Sequence, residues 1–364
     1  MTSVLDHDAR DLFGLTAELI AVPSESHHEA ELARLVERRL RERAPSLAID
    51  VLGSNVIART QLGRDRRVVL GGHLDTVPAN ENATPRVDGD VLHGLGSADM
   101  KGGLAVLLAL AEALHADPDA AHHDITVVFY ECEEVADRFN GLRHIFETEA
   151  SLLDADFAVL LEPTAGAVEA GCQGVVVLEA RFDGERAHTA RPWMGRNAIH
   201  RATDVLARLA RHETDGVDVD GLHYRESLQV VRIEGGIAGK FNVVPDGCTM
   251  AIGRRFAPCY SEAEAENQVR VLLDGADHIE VLQSQPGALP NLTNPLVADF
   301  VDRVGLDVHP KLGWTDVARF ASRGVPAVNF GPGDPEIAHT QGEHVTRESI
   351  EQAYTALAAF IGIA

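Results

Sequence analysis

Cysteine is scarce in this sequence, cationic side chains are heavily outnumbered, and no long apolar run occurs. The four cysteines, Cys132, Cys172, Cys248 and Cys259, are scattered and form no Cys-x-x-Cys pair. That argues against a disulfide framework and a thiolate zinc site, and predicts a chain kept reduced in the cytoplasm. Lys and Arg total 32 against 56 Asp and Glu, a formal charge of −24. A surface of that sign repels phosphate backbones and anionic headgroups, so neither nucleic acid nor a membrane surface is expected as a partner. No stretch of about 18 apolar residues is present to span a bilayer. Met1 to Arg10 carries Asp6 and Asp8, not the basic, then apolar, pattern of a secretion signal.

What is present is a globular composition, 45% hydrophobic and 24% charged over 364 residues. That length predicts two domains. The stretch Val69 to Gly103 organises the chain. An apolar run at its start, Val68 to Leu70, reads as a buried strand stopped by Gly71 and Gly72. His73 and Asp75 follow two apart, a spacing that puts both side chains on one face of extended backbone. Asp99 comes on a Gly-bounded loop just before the apolar run Leu104 to Leu114, a buried helix. Imidazole and carboxylate at the ends of core elements suit a divalent metal. Read alone, His73-Leu74-Asp75 is equally a strand ending in a turn, its histidine satisfied by backbone.

Helical periods cover Ala9 to Ala21 and Glu29 to Arg43, the second opened by Ser26; Ile49 to Ala58 alternates as a strand. Ile125 to Phe129 is a strand that runs into Glu133-Glu134, and Phe157 to Leu161 is a strand that runs into Glu162. Three core strands thus finish in ionisable residues, and in open α/β sheets ligands sit at the carboxyl ends of strands. Near Gly171 the character changes. Val175 to Phe182, Leu228 to Ile233, Val243 to Val244, Thr249 to Phe256 and His278 to Gln283 are strand-like, while Asn197 to His212 and Ser261 to Leu273 are helical. These predict an inserted α+β sandwich at 172–286 with two helices over one face of its sheet, between 1–171 and 287–364 of an α/β domain. The last part carries Gly313-Trp314-Thr315-Asp316, a helix to Ser322, a strand Ala327 to Phe330, the segment Ala338-His339-Thr340, and a closing helix Arg347 to Ile361.

His73-Leu74-Asp75, Asp99-Met100-Lys101-Gly102-Gly103, Glu133-Glu134, Glu162 and His339 occur in an order and spacing that resembles the di-zinc amidohydrolase and peptidase family. That family includes aminoacylases, glutamate-releasing carboxypeptidases, acetylornithine deacetylase and succinyl-diaminopimelate desuccinylase. The resemblance covers nearly the whole chain. Within the family, Gly313-Trp314-Thr315-Asp316-Val317-Ala318-Arg319-Phe320 and the short length resemble the bacterial desuccinylases most.

The resemblance implies a zinc-peptidase-like domain with a central, mostly parallel sheet and an inserted domain that pairs two chains as a homodimer. It implies two Zn²⁺ per subunit, with Co²⁺ as a substitute: His73 and Glu162 on one ion, Glu134 and His339 on the other, Asp99 bridging. Asp75 would orient His73 through its other ring nitrogen, and Glu133 would be the general base and acid. His188 would reach into the partner subunit's site, and Asn242, Arg255, Gly313 and Thr315 would meet the substrate, a small N-acyl amino acid. The implied reaction is hydrolysis of N-succinyl-L,L-2,6-diaminopimelate to succinate and L,L-2,6-diaminopimelate. An acetylornithine-type deacetylase, a dipeptidase or carboxypeptidase, and a metal-binding protein without turnover are the alternatives. One departure bears on the acyl group: Gly171-Cys172-Gln173-Gly174 stands where well-known desuccinylases carry an arginine-bearing segment. Singly, Glu133-Glu134 also reads as a solvated turn, Glu162 as a helix cap and His188 as a surface histidine, and His93, His122, His123, His144 and His344 read as bystanders.

Overall fold

The computed structural model describes residues 5–363, so Met1 to Val4 and Ala364, which the domain limits above include, lie outside the described residues. The chain forms two compact units. One comprises the residues up to Ala170, Asn291–His309 and Arg319 onward; the other comprises Gly171–Pro290 and Pro310–Ala318. The segment Pro310–Ala318 therefore belongs with the second unit, not with the first as its position after residue 287 suggests. Backbone and side-chain bonds hold it there: Gln173 N donates to the Lys311 carbonyl at 3.1 Å, and Trp314 Nε1 donates to the Pro286 carbonyl at 3.0 Å.

An eight-stranded sheet, all of it but Pro310 in the first unit, runs in the order Ala48–Leu52, Asn55–Arg59, Asp124–Tyr130, Arg67–His73, Phe157–Leu160, Ala327–Asn329, Val168–Ala170, Val308–Pro310. Its centre is parallel: Arg67–His73 pairs with both Asp124–Tyr130 and Phe157–Leu160, and Ala327–Asn329 pairs with Phe157–Leu160. Strands buried on both faces need apolar side chains throughout, and Val68, Val69, Leu70, Ile125, Val127, Val128, Phe157, Ala158, Val159 and Leu160 are all fully buried. The helix Gly102–Ala116 lies against this sheet, and two glycines permit the approach. A Cβ on Gly72 would meet Met100 Cε at 2.7 Å, and one on Gly103 would meet the Leu161 carbonyl oxygen at 2.7 Å. Leu104, Val106, Leu107, Leu108, Leu110 and Leu114 of this helix are fully buried, each worth about 1.5–3 kcal/mol of apolar burial.

Some local expectations change. Ile49 to Ala58 is not one strand but a hairpin, because Gly53 takes φ +64° between Ala48–Leu52 and Asn55–Arg59. A helix at Pro295–Val304 joins the unit, opened by Asn294, whose side chain accepts from Leu296 N, and closed by Gly305 in the left-handed region. Among the described residues no helix is long and apolar enough to cross a membrane.

The second unit is a four-stranded antiparallel sheet in the order Ser227–Gly235, Gly247–Phe256, Gly174–Asp183, His278–Gln285. The alternating side chains Val176, Leu178, Ala180 and Phe182 form its core with Ala202, Val205 and Leu209 of the helix Ala198–Arg211 and Ala265 and Val269 of the helix Glu262–Leu272. Ser261 and Glu264 close a reciprocal capping box on the second helix. Val243 makes only a single bridge, to His188, where a strand at Val243 to Val244 was expected.

Candidate metal centre

The carboxyl ends of the parallel strands carry the ionisable cluster. His73 is the last residue of its strand, with its ring buried. Its Nδ1 lies 3.0 Å from the Asp75 backbone carbonyl and 3.5 Å from the Asp75 carboxylate, so the carbonyl, not the expected carboxylate, is the nearer partner. A carbonyl only accepts, so Nδ1 carries the proton there and Nε2 turns to Asp99, 2.9 Å from Oδ1. The other Asp99 oxygen, Oδ2, lies 3.3 Å from Nε2 of His339, which is also 2.7 Å from Glu134 Oε1. Asp99 thus presents one carboxylate oxygen to each histidine.

Donor atoms lie within 4.8 Å of one another in three groups: His73, Asp99 and Glu162; Asp99, Glu134 and His339; and His73, Glu133 and Glu134. The first two share Asp99. The third includes both adjacent acids, because Cys132 takes φ +58° just after the strand Asp124–Tyr130 and extended backbone does not continue into Glu133. Asp75 fixes this turn. Its Oδ1 accepts from Glu133 N at 2.9 Å, and its Oδ2 accepts from Glu134 N at 3.0 Å and from the Ser26 hydroxyl at 2.8 Å. Ser26 opens no helix; Ala30–Arg43 follows Glu29, and the Ser26 hydroxyl serves the site.

Electrostatics show what the cluster favours. Burial opposes charge on His73, but Asp75 and Asp99 outweigh it and raise its pKa well above the ordinary imidazole value. Hydrogen bonds that the His339 ring donates to Asp99 and Glu134 raise it to about 10. Burial also opposes ionisation of Asp99, and the two histidines overcome it and hold the carboxyl low. Several carboxylates around two imidazoles make a pocket of negative potential that retains cationic charge. The donors are nitrogen and oxygen only. The neighbouring Cys132 thiol is pushed up to about 12 by burial and donates to Glu29, so it stays protonated. Imidazole and carboxylate donors around one shared carboxylate fit a pair of divalent ions of the zinc class.

The remaining predicted residues lie in the second unit. His188 is exposed, and its Nδ1 accepts from Ala190 N at 3.0 Å. The ring therefore carries its proton on Nε2, a free donor direction. Asn242 sits on the adjoining segment, where its carbonyl accepts from Thr189 N. Arg255 forms no ion pair among the described residues. Thr315 is buried and Gly313 exposed. Two participants in the first unit were not among the expected site residues: Ser26, read as opening a helix, and Glu343. Glu343 follows His339 by four residues, a spacing with no meaning until the Asp99 loop is seen against it.

A model of "Peptidase family M20/M25/M40" matches residues 69–362. A succinyl-diaminopimelate desuccinylase of Corynebacterium glutamicum is 42% identical over 361 residues, 96% of this chain and 97% of that protein. A Mycobacterium tuberculosis protein provisionally named for the same activity is 48% identical over 353 residues, 97% of this chain and 98% of its own length. Among solved structures, the Bacillus subtilis YXEP protein, described as a dinuclear metal-binding peptidase of the M20 family, superposes with a TM-score of 0.73 at 18% identity, covering 98% of both chains. The chain belongs to peptidase family M20/M25/M40.

Proposed function

We propose that this chain is a two-metal amidohydrolase that converts N-succinyl-L,L-2,6-diaminopimelate and water to succinate and L,L-2,6-diaminopimelate. The observation that carries the reaction class is Asp99, with one oxygen toward His73 and the other toward His339. The substrate rests on 42% identity across nearly the whole length of a desuccinylase. His73 and Glu162 would hold one ion, Glu134 and His339 the second, with Asp99 shared; zinc is the proposed metal and cobalt its substitute. When bound, such a pair supplies Lewis acidity to the amide carbonyl and acidifies a water. Glu133 takes the proton of the attacking water and returns it to the leaving amine. Its place is set through its own backbone N–H, which donates to Asp75. Arg255, with no carboxylate partner, is available to a substrate carboxylate, beside Asn242, Gly313 and Thr315 as further contacts.

A homodimer completes this reading. The strand Ser227–Gly235 is an edge of its sheet, with Val231 64% and Ile233 48% exposed. An exposed apolar edge pairs readily with another chain, and a second copy is the occupant we assign. His188 of one protomer then donates from Nε2 to the developing oxyanion in its partner's site. Four free thiols suit the reducing cytoplasm.

The test is a substrate panel on the purified protein with added Zn²⁺ or Co²⁺: succinyl-diaminopimelate, acetylornithine, acetyl amino acids and dipeptides. Succinyl-diaminopimelate should lead, and chelation should abolish turnover until Zn²⁺ or Co²⁺ is restored. Preference for acetylornithine or a dipeptide would reassign the substrate, and full turnover in chelator would remove the metal mechanism.

A further inference from the structure

Asp99 has to hold its carboxylate between two histidines, yet it sits in irregular backbone. Asp99 and Met100 have non-helical dihedrals (φ −120°, ψ 91° and φ −138°, ψ 42°), and Gly96 before them is left-handed at φ +74°. Such a segment lacks the repeating bonds that fix a residue in a helix or strand, so something else has to fix it. Two successive backbone donors here, Ala98 N and Asp99 N, point at one acceptor, Oε1 of Glu343, at 3.0 and 3.1 Å. Glu343 is 1% exposed. Its own carbonyl accepts from Gly94 N at 3.2 Å, so main chain and side chain grip both ends of the loop. Asn82 adds a second strap: its carbonyl accepts from Leu95 N at 2.8 Å, and its Nδ2 donates to the Thr340 carbonyl at 3.1 Å.

The same short segment, His339 to Glu343, therefore carries one imidazole of the cluster and the carboxylate that holds the Asp99 loop. We propose that Glu343 is a positioning residue that sets the Asp99 carboxylate in register with His339, and through it the spacing of the two metal positions. It acts by geometry, as an acceptor for two N–H groups, and makes no contact with substrate. This inference rests on the two-metal reading above.

Two substitutions separate geometry from charge. Glu343→Gln removes the charge and keeps an oxygen at the same reach; Glu343→Asp keeps the charge and withdraws the oxygen by one methylene. Zn²⁺ stoichiometry and affinity are measured on metal-free protein by competition with a chromophoric chelator, with circular dichroism and the unfolding midpoint in chelator recorded alongside. Outer partners of metal ligands typically change affinity by about 10–100-fold. Glu343→Asp should weaken Zn²⁺ binding on that scale while remaining folded without metal, and Glu343→Gln should stay within about threefold of the parent, given a retained acceptor. A Gln variant weakened tenfold overturns the proposal by itself, whether or not the Asp variant folds. Parent-like affinity in a folded Asp variant overturns it too, while leaving the two-metal reading intact. A parent protein that takes up no Zn²⁺ overturns both.

Discussion

Replacing Asp75 by Asn tests the assembly of the site more sharply than removing a metal donor. The carboxylate accepts from Glu133 N on one oxygen and from Glu134 N and the Ser26 hydroxyl on the other. An amide keeps one oxygen only, so its NH₂ must face either the Glu133 N–H or the pair from Glu134 and Ser26. At least one bond to a charged acceptor is lost, worth about 1.5–3 kcal/mol. Placed wholly on the transition state, that is a fall of about 10–150-fold in kcat/KM. Placed wholly on the ground state, it lowers the unfolding midpoint by several degrees, at about 2–4 °C per kcal/mol for a unit of this size. Steady-state kinetics of the metal-loaded enzyme and thermal unfolding with and without chelator give both quantities. Ser26→Ala is the control: it removes one donor to the same carboxylate, worth about 1.5–3 kcal/mol, and leaves both turn amides their acceptor. An Asp75→Asn protein within twofold of parent activity and within 1 °C of its midpoint, about the noise of a mutation that costs nothing, would show that Asp75 does not order the Glu133 turn.

Two further outcomes are expected. Glu133→Gln should keep its Zn²⁺ and lose most turnover, whereas Glu134→Gln should weaken one metal; equal metal loss in both would reverse the roles. Mixing Glu133→Gln with His188→Ala under subunit exchange should revive activity at up to half of the mixed dimers' sites, and exchange proven by mass with no activity would exclude the cross-subunit donor. Asp124 reports on stability. Burial works to raise its pKa, but the Leu62 and Arg64 backbone amides and the Thr60 hydroxyl outweigh it and hold the carboxyl below its usual value. A depressed native value contributes stability above the unfolded pKa of about 3.9 and loses it as pH falls through the native one. Asp124→Asn should therefore cost about 1.5–3 kcal/mol at pH 7, with the deficit in urea unfolding shrinking below about pH 4; a deficit that persists at pH 2 would contradict the assignment.

The main elements were legible because the code for them is local. Continuous apolar runs marked Arg67–His73, Asp124–Tyr130 and Phe157–Leu160, and an apolar run marked Gly102–Ala116. The acids at the strand ends stood out because nothing in a buried strand explains them. The hairpin at Gly53 was hidden, since alternation continues on both sides of one residue with positive φ. Pro310–Ala318 was misplaced because chain order does not say which unit a connecting segment packs on. The site roles of Ser26 and Glu343 were invisible for a deeper reason. Each works through one hydrogen bond or a pair of them to a partner remote in sequence, and such bonds leave no period, run or spacing to read.

The cluster's donors leave the ribosome in chain order. His73, Asp99, Glu134 and Glu162 belong to the first half of the chain, and His339 comes after the last central strand, Ala327–Asn329. The whole four-stranded insert is synthesised in between. A nascent or truncated chain therefore owns one imidazole and an excess of carboxylates, and Glu343, which grips the Asp99 loop, is also still to come. Donor geometry is completed only when the C-terminal segment docks, so a shortened product is a folding intermediate with an unfinished centre and not a half-active enzyme.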